Sequence, residues 1–318
     1  MSGKSKVSSF AKMDPAHLLD GLWVPVAQKG HALYDVKGDF DGLQIGFLGV
    51  QLDAVHQSVL LAIAARTAQA KKANGVLIKG TSNDLMARQM ELLEITGLAR
   101  NQDVSLVHCR AYALLSDAGM TTNKDGYKQL MQVLKEMSTI VMWRGQWDPE
   151  TKREKGNTSN LLGFELDGQD LAITLNWRMT DAIFGPQSVF INLHERRALE
   201  DPVVKILHCW LSGFIRLPRE RGRSSQLMAG KGAEIDTLIR HVWGKRPCTD
   251  SVMGNRRMRI REALDLINTL PDWGVRIEGK HAFVSRIRGA VNDGTLLPGD
   301  LAEAEEMYQH RLALGKAD

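Results

Sequence analysis

At 318 residues the chain is long enough for two domains with separate cores, and its composition, 43% hydrophobic and 25% charged, is that of a globular protein. It holds no run of about 18 apolar residues, so no membrane-spanning helix is expected; its three scattered cysteines, Cys109, Cys209 and Cys248, suit reduced thiols in a cytosolic protein, not a disulfide framework or a zinc site. The net charge of +4 is uneven: residues 196–290 carry 19 Lys and Arg against 10 Asp and Glu, the remainder 22 against 27, and a locally basic segment of this kind is the footprint of a polyanion-binding module.

In chain order, residues 1–40 read as an N-terminal arm. MSGKSKVSSFAKMDPAH is basic and polar and lacks the apolar core of a signal peptide, and LWVPVAQKGHALYDV follows as an irregular or strand-rich lead-in. Leu52, Val55, Val59, Leu60 and Ile63 recur at helical spacing, which predicts an amphipathic helix over 52–71. Strands are expected at VLIK and VSLVHC, with a helix within 82–95. AYALLSDAG reads as a short helix stopped by Gly119. TTNKDGYKQLMQVLKEM follows as a second helix, with Thr121 or Thr122 as N-cap and Tyr127, Leu130, Met131, Leu134 and Met137 facing inward. TIVMWRG is then a strand, WDPETKREKGNTSN a charged loop and LLGFEL a second strand. Asp167–Gly168 lies in a loop of four residues that turns the chain into DLAITLN, longer than a strict two-residue hairpin.

About 120 residues later the same order returns. DPVVKILHCWLSGFI gives a helix with Pro202 in its first turn, followed by a basic, glycine-bearing loop at 216–232. EIDTLIRHVWG is an amphipathic helix closed by Gly244, and Thr249 or Asp250 caps the next, which carries MGNRRMRIREALDLI. GVRIEGKHAFVSRIR supplies two alternating strands around Gly279–Lys280, a two-residue turn with glycine first. Helix, turn, helix, then a hairpin is the grammar of a winged helix. The fold class expected is α+β, with two tandem winged-helix domains over 41–195 and 196–290 and a C-terminal tail helix over 291–318.

Four arginines stand within six positions of the second domain's last helix. On a helical wheel Met253, Ile260, Leu264, Ile267 and Leu270 share one side, Ser251, Asn255, Arg259 and Glu262 the other, with Arg261 on the flank and Arg256 and Arg257 nearer the apolar side. The front of the helix is basic on nearly every azimuth and its back is amphipathic, which suits a recognition helix entering a major groove. Arg and Asn are the types that pair bidentately with guanine and adenine edges. Arg276, Lys280, Arg286 and Arg288 on the hairpin are placed to reach phosphates beside the groove. The plainer alternative is a solvated helix face whose arginines pair with Glu262 and Asp265. The first domain offers Lys124, Lys128 and Lys135 on its second helix and Lys152, Arg153 and Lys155 in its charged loop, which suits phosphate contact or dimerisation as well as base reading.

Catalysis is not expected. No GxxxxGK[ST], HExxH or GxSxG motif is present. In His108–Cys109 and His208–Cys209, adjacency points the side chains apart, and no His–apolar–His run stands beside a tyrosine as strand nicking would need. No cofactor or metal is anticipated.

SVMGNRRMRIREAL (251–264), with its Met, paired Arg, Arg and Ile-Arg-Glu-Ala-Leu run, resembles the replication initiators of broad-host-range plasmids, most closely the RepC type of the IncQ group or related RepA-type initiators. IDTLIRHVW and RALEDPVVKILHCWLSGFI also align, and LLSDAG and LKEMSTIVMWRG match in order and pattern; the resemblance covers roughly 45–288. The long basic loop 216–232, the N-terminal arm and the tail depart from it. The resemblance implies a bacterial cytoplasmic, plasmid- or nucleoid-associated protein that binds repeated duplex DNA sites (iterons) at an origin, opens an adjacent segment and recruits the replicative helicase without chemistry of its own. A homodimer through the first domain is a further expectation. Base reading then falls to Asn255, Arg256 and Arg259, with Ser251, Arg257 and Arg261 near phosphates. Two rivals remain: a winged-helix repressor or autoregulator on a palindromic operator, and a module whose basic helix meets an acidic protein.

Overall fold

Helix α1 (Ala54–Ala70) packs against helices and strands from both halves of the chain. In a computed structural model, which describes residues 9–26, 32, 36–40, 43–70, 77–78, 91–95, 102–148, 153–185, 188–215 and 224–287, every residue from Val59 to Ala65 is buried. The spacing predicts an amphipathic helix here; the structure surrounds it instead, because elements from both halves of the chain lie against it. Its alanines let those neighbours approach closely. At its start His56 is held between two carboxylates, Nδ1 2.7 Å from Asp53 and Nε2 2.7 Å from Glu136. Burial alone would lower the His56 pKa, but these two partners outweigh it and raise it.

Two units of the same build recur along the chain. In the first, β7 (Val104–Arg110) runs directly into α2 (Ala111–Ala118), followed by α3 (Lys124–Ser138) and the hairpin β10 (Leu162–Asp167) and β11 (Asp170–Leu175). In the second, β14 (Ala233–Glu234) runs into α7 (Ile235–Trp243), then α8 (Asp250–Asn268) and the hairpin β15 (Trp273–Glu278) and β16 (His281–Ile287). In each four-stranded sheet the second hairpin strand lies between the first and the strand leading into the helix pair, giving the runs β10-β11-β7 and β15-β16-β14, with β6 (Leu77–Ile78) beyond β7 and β13 (Ser224–Gln226) also pairing β16. The register is the same too. Arg110, the last residue of β7, pairs with Asp170, and Glu234, the last of β14, pairs with His281. Both hairpins close on two-residue turns, Gly168–Gln169 and Gly279–Lys280, with the glycine at positive φ. In each, the amide of the first helical residue donates to the second turn residue's carbonyl: Ala111 N–H to Gln169 O, and Ile235 N–H to Lys280 O, both 2.9 Å.

The sequence reading of the first hairpin changes accordingly. The stretch read as a charged loop is mostly strand. β9 (Arg153–Asn160) pairs along its whole length with β8 (Val141–Asp148), and together with β3 (Lys37–Phe40) and β4 (Leu43–Leu48) they form a separate sheet of order β3-β4-β8-β9. These two strands are an insertion between α3 and the repeated hairpin. The turn at Gly168 is a two-residue one after all, since Asp167 and Asp170 still pair; the polar ends of both strands hid the ladder. Asn123, not a threonine, caps α3 by accepting from Gly126 N–H. Gly119 and Gly244 close α2 and α7 at positive φ, as expected, and Thr249 caps α8.

The segment read as an arm joins the core from Phe10 onward. β1 (Phe10–Met13) pairs antiparallel with β12 (Val189–Asn192), burying Ala11 and Met13, and Trp23–Val24 (β2) runs parallel to Leu52–Asp53 (β5). Asp14 takes a bidentate ion pair from Arg178 on α4 (Trp177–Phe184), a helix the sequence did not announce. The short α5 (Leu193–Ala198) ties the halves together. From it Arg196, fully buried, donates to Lys205 O on α6 (Pro202–Phe214), to Ala54 O and to Ser58 Oγ on α1; burial pulls its pKa down to about 10. Its neighbour Glu195 accepts from Asn192, from His208 Nε2 at 2.8 Å, from Trp273 Nε1 at 2.9 Å and from Arg286 at 2.8 Å. Burial pushes the Glu195 pKa up, but these donors outweigh that and hold it below the ordinary range. Among the described residues no helix is long and apolar enough to cross a membrane. The helix expected within 82–95 lies mainly outside the described residues, as does the tail.

His17, fully buried against Trp23 and Phe47, has both ring nitrogens unpartnered, and burial lowers its pKa to about 4. A folded-state pKa below the unfolded value of about 6.5 gives stability that is complete above pH 6.5 and lost as the pH falls toward 4. The expected loss across that window is up to about 3 kcal/mol, at 1.36 kcal/mol per unit. Denaturant titrations of the wild type and His17→Phe at pH 7.5, 5.5 and 4.5 check it: the substitution flattens the acid-side slope.

Candidate nucleic-acid interface

α8 begins well outside the core. Its buried residues are Ile260, Ala263, Leu264 and Ile267, so everything from Asp250 to Arg259 is exposed or half-exposed. At 1.5 Å per residue this front section is about 15 Å long. The division into a projecting basic front and an amphipathic back, read from the wheel, is the one the structure has.

Each of the four arginines has a partner elsewhere in the fold. Arg256 lies half-buried with its guanidinium 5.3 Å from the centre of the Trp243 ring, on the side facing α7. Arg257 makes a bidentate pair with Asp236 in the first turn of α7, Nε at 2.8 Å and a terminal nitrogen at 2.7 Å. That hydrogen bond lowers the Asp236 pKa and raises that of Arg257. Arg259 pairs with Asp201, the N-cap of α6, and with Glu262 at 3.3 Å. Arg261 donates to the Gly279 carbonyl at 2.6 Å and so fastens the hairpin turn to the helix. The Glu262 contact is the one the solvated-face alternative anticipates, but the remaining anchors are on other elements.

The outward face carries different groups. Ser251 and Asn255 are exposed and their side chains form no hydrogen bond with the described residues, while Val252 and Met258 are apolar and exposed beside them. The wheel reading places Ser251, Asn255 and Arg259 on one face, and they share it. It did not single out Val252, Met258 or Gly254, although an apolar residue on the polar arc was a visible signal. The carboxylates that restrain the cations, Asp201 and Asp236 on arginines and Glu234 on Lys280, come from elements up to 58 residues away and gave no sequence signal at all.

Of the expected hairpin contacts, Lys280 is exposed at the turn, with Nζ 3.2 Å from Glu234, and Arg276 pairs with Glu278 while covering the Phe283 ring at 4.6 Å. Arg286 is corrected. It is 4% exposed, bound to Glu195 and stacked on Trp273 at 4.4 Å, so it belongs to the core; strand alternation turns it inward with Val284. Arg288 and Lys152 lie outside the described residues. Arg153 and Lys155 are placed only by their backbone, opposite Asp148 and Gln146 on the inserted hairpin, away from the repeated one. Lys124 and Lys128 are exposed on the front of α3, Lys128 within 3.9 Å of Asp125. α3 is the counterpart of α8 in the first unit, so these lysines and the arginine cluster occupy equivalent helices.

A projecting basic helix with a hairpin fastened beside it thus stands in the second unit, on a mixed α/β frame whose first unit repeats the plan with the less basic α3, and sequence comparison says which family has this chain. The chain belongs to the replication protein C (RepC) family, whose model matches residues 8–284, and it is a replication initiator of that type. The match starts far earlier than the resemblance near residue 45, in keeping with the N-terminal strand lying in the core, and it stops short of the tail. A search of curated protein sequences finds no match. Among solved structures the chain is similar to a selenomethionine derivative of domains 2 and 3 of RctB, at 9% identity and TM-score 0.49, covering 87% of this chain and 99% of that one. A second structure of RctB domains 2–3 has 10% identity and TM-score 0.43 over 84% and 95%.

Two substitutions separate core from surface. Arg286→Met leaves Glu195 buried with one cationic partner fewer and is expected to cost about 3–5 kcal/mol of stability, read by denaturant unfolding. Lys280→Ala is expected to change stability by less than about 0.5 kcal/mol and instead to weaken DNA binding, which a fluorescence-anisotropy titration with duplex DNA measures.

Proposed function

We propose that this initiator consists of two tandem winged helices and binds duplex DNA sequence-specifically, recognising directly repeated sites in a plasmid origin. The observation that carries the reading is the front of α8: about 15 Å of helix with no buried residue, on which Ser251 and Asn255 are exposed and form no side-chain hydrogen bond with the described residues, with arginines on both flanks. Asn255 and Arg259 are the base-reading residues. Arg257, Arg261, Arg276 and Lys280 meet phosphates, and Ser251 lies at the edge of the groove. Arg256, stacked on Trp243, positions the helix. Lys124 and Lys128 on α3 give the first unit a phosphate-contacting or dimer-forming role, to which Arg153 and Lys155 of the inserted hairpin, and Lys152 before them in sequence, add positive charge.

The protein performs no bond chemistry of its own. Several copies side by side on repeats bend and unstack the duplex, and binding free energy offsets the deformation. The opened segment then receives the replicative helicase. The repetition of unit and register supports the tandem reading, and the family membership supports a DNA partner. The site of action is the bacterial cytoplasm, on plasmid DNA.

Selection of bound duplexes from a random pool at near-physiological salt tests the reading. An asymmetric motif bound cooperatively when repeated head to tail is the expected result. A palindrome would instead indicate a repressor, and no enrichment would leave α8 as a protein-binding face. On the selected site Asn255→Ala is expected to cost about 1–3 kcal/mol and to relax preference at one base pair. With about six phosphates neutralised per copy, log K against log salt should fall with a slope near −5.

A further inference from the structure

Among the described residues nothing gives Gly254 a purpose inside the protein. It lies in the second turn of α8, its φ is not in the left-handed region, and a Cβ built on it meets nothing within 4 Å. Other glycines have a visible reason. At Gly21, Gly46, Gly126 and Gly213 an added Cβ would come within 2.6 Å of a neighbouring atom. Gly119, Gly168 and Gly279 also have open space around them, but each sits at positive φ where side chains are strained. Gly254 has neither excuse. A glycine inside a helix is less stable than alanine because its backbone loses more freedom on folding. The cost is borne in the part of the helix that leaves the core.

Its neighbours on the helix surface show what the bare backbone faces. Arg257 and Arg261 stand three and seven positions further along, on the same side. Arg261 reaches the carbonyl of Gly279, which places the hairpin turn and the exposed Lys280 at the end of the same strip. The strip therefore carries two arginines, Arg257 tethered to Asp236 and Arg261 to the hairpin turn, with exposed Met258 and Asp250 four positions either side of Gly254, and it lacks a side chain at one point. We infer that a sugar-phosphate strand of the duplex lies against the backbone of α8 at Gly254, between Arg257 and the hairpin turn, in the room a side chain would take. This rests on the proposed DNA-binding function and assigns the closest approach within it. Asn255, one position on and turned about 100° outward, then faces the base edges.

The test uses the full chain and Gly254→Ala. Melting temperature is expected to stay level or rise by about 1–3 °C, since alanine favours the helix. Affinity for both the selected duplex and a random-sequence duplex of equal length is expected to fall tenfold or more, by the same factor, because the obstructed group is common to every sequence. Unchanged binding overturns the inference. Loss confined to the selected duplex also overturns it, assigning the position to a base edge, and a fall in melting temperature would show that the glycine serves the fold. If the wild type binds no duplex in a salt-dependent way, the functional reading fails first and takes this inference with it, so the two failures are distinct.

Discussion

A single buried carboxylate holds together the elements from which α8 projects. Glu195 sits on a helix of six residues, yet it gathers Asn192 beside it, His208 from α6, Trp273 from β15 and Arg286 from β16. Removing a charge from water is costly, and only a nearly complete set of donors makes it tolerable. His208 is buried; burial lowers its pKa despite the carboxylate, and its Nε2–H donates while Nδ1 has no partner. The carboxylate thus bonds three elements that the chain order separates, and α8 is packed among them. With the hairpin and α6 fixed, the direction in which α8 leaves the core is fixed as well.

The two halves show how one supersecondary plan is reused under different demands. The strand-to-helix junction is the invariant part: the same register, the same two-residue turn and the same amide-to-carbonyl bond at Ala111 and Ile235. That bond satisfies a helix N-terminal donor that would otherwise have no partner, and it fastens the hairpin tip to the helix pair. Around this junction the halves differ. The first inserts β8 and β9, whose sheet with β3 and β4 enlarges it away from the repeated hairpin. The second keeps the plan bare and spends its charge on α8.

Positive charge on the interface is restrained by carboxylates of the protein itself. Asp236, Asp201 and Glu234 hold Arg257, Arg259 and Lys280, and each pair is at least partly exposed, where such contacts contribute little to stability. Their effect is on geometry and on competition. A phosphate must displace a carboxylate before it gains the cation, so non-specific attraction is weakened, while the planar guanidinium groups are held in defined directions. A helix with four free arginines would attract any polyanion; one whose arginines are tethered rewards the partner that replaces the tether well.

The sequence by itself determined the helices and turns whose signals are local. Apolar spacing set α6, α7 and α8, Gly119 and Gly244 set the ends of α2 and α7, Gly279–Lys280 set the turn, and the wheel of α8 correctly separated Ile260, Leu264 and Ile267 from Ser251 and Asn255. The arginine cluster carried the resemblance to replication initiators. Only the tertiary structure decided what surrounds each element. α1 looked amphipathic and proved buried on all sides, since nothing local records that neighbours come from both halves of the chain. Phe10–Met13 looked like an arm because its partner strand lies some 180 residues further on. Arg286 looked like a phosphate contact because charge is legible in sequence and a buried counter-charge 91 residues away is not. The physical reason is the same each time: periodicity and turn chemistry act over a few residues, whereas burial and ion pairing depend on what the whole chain brings together.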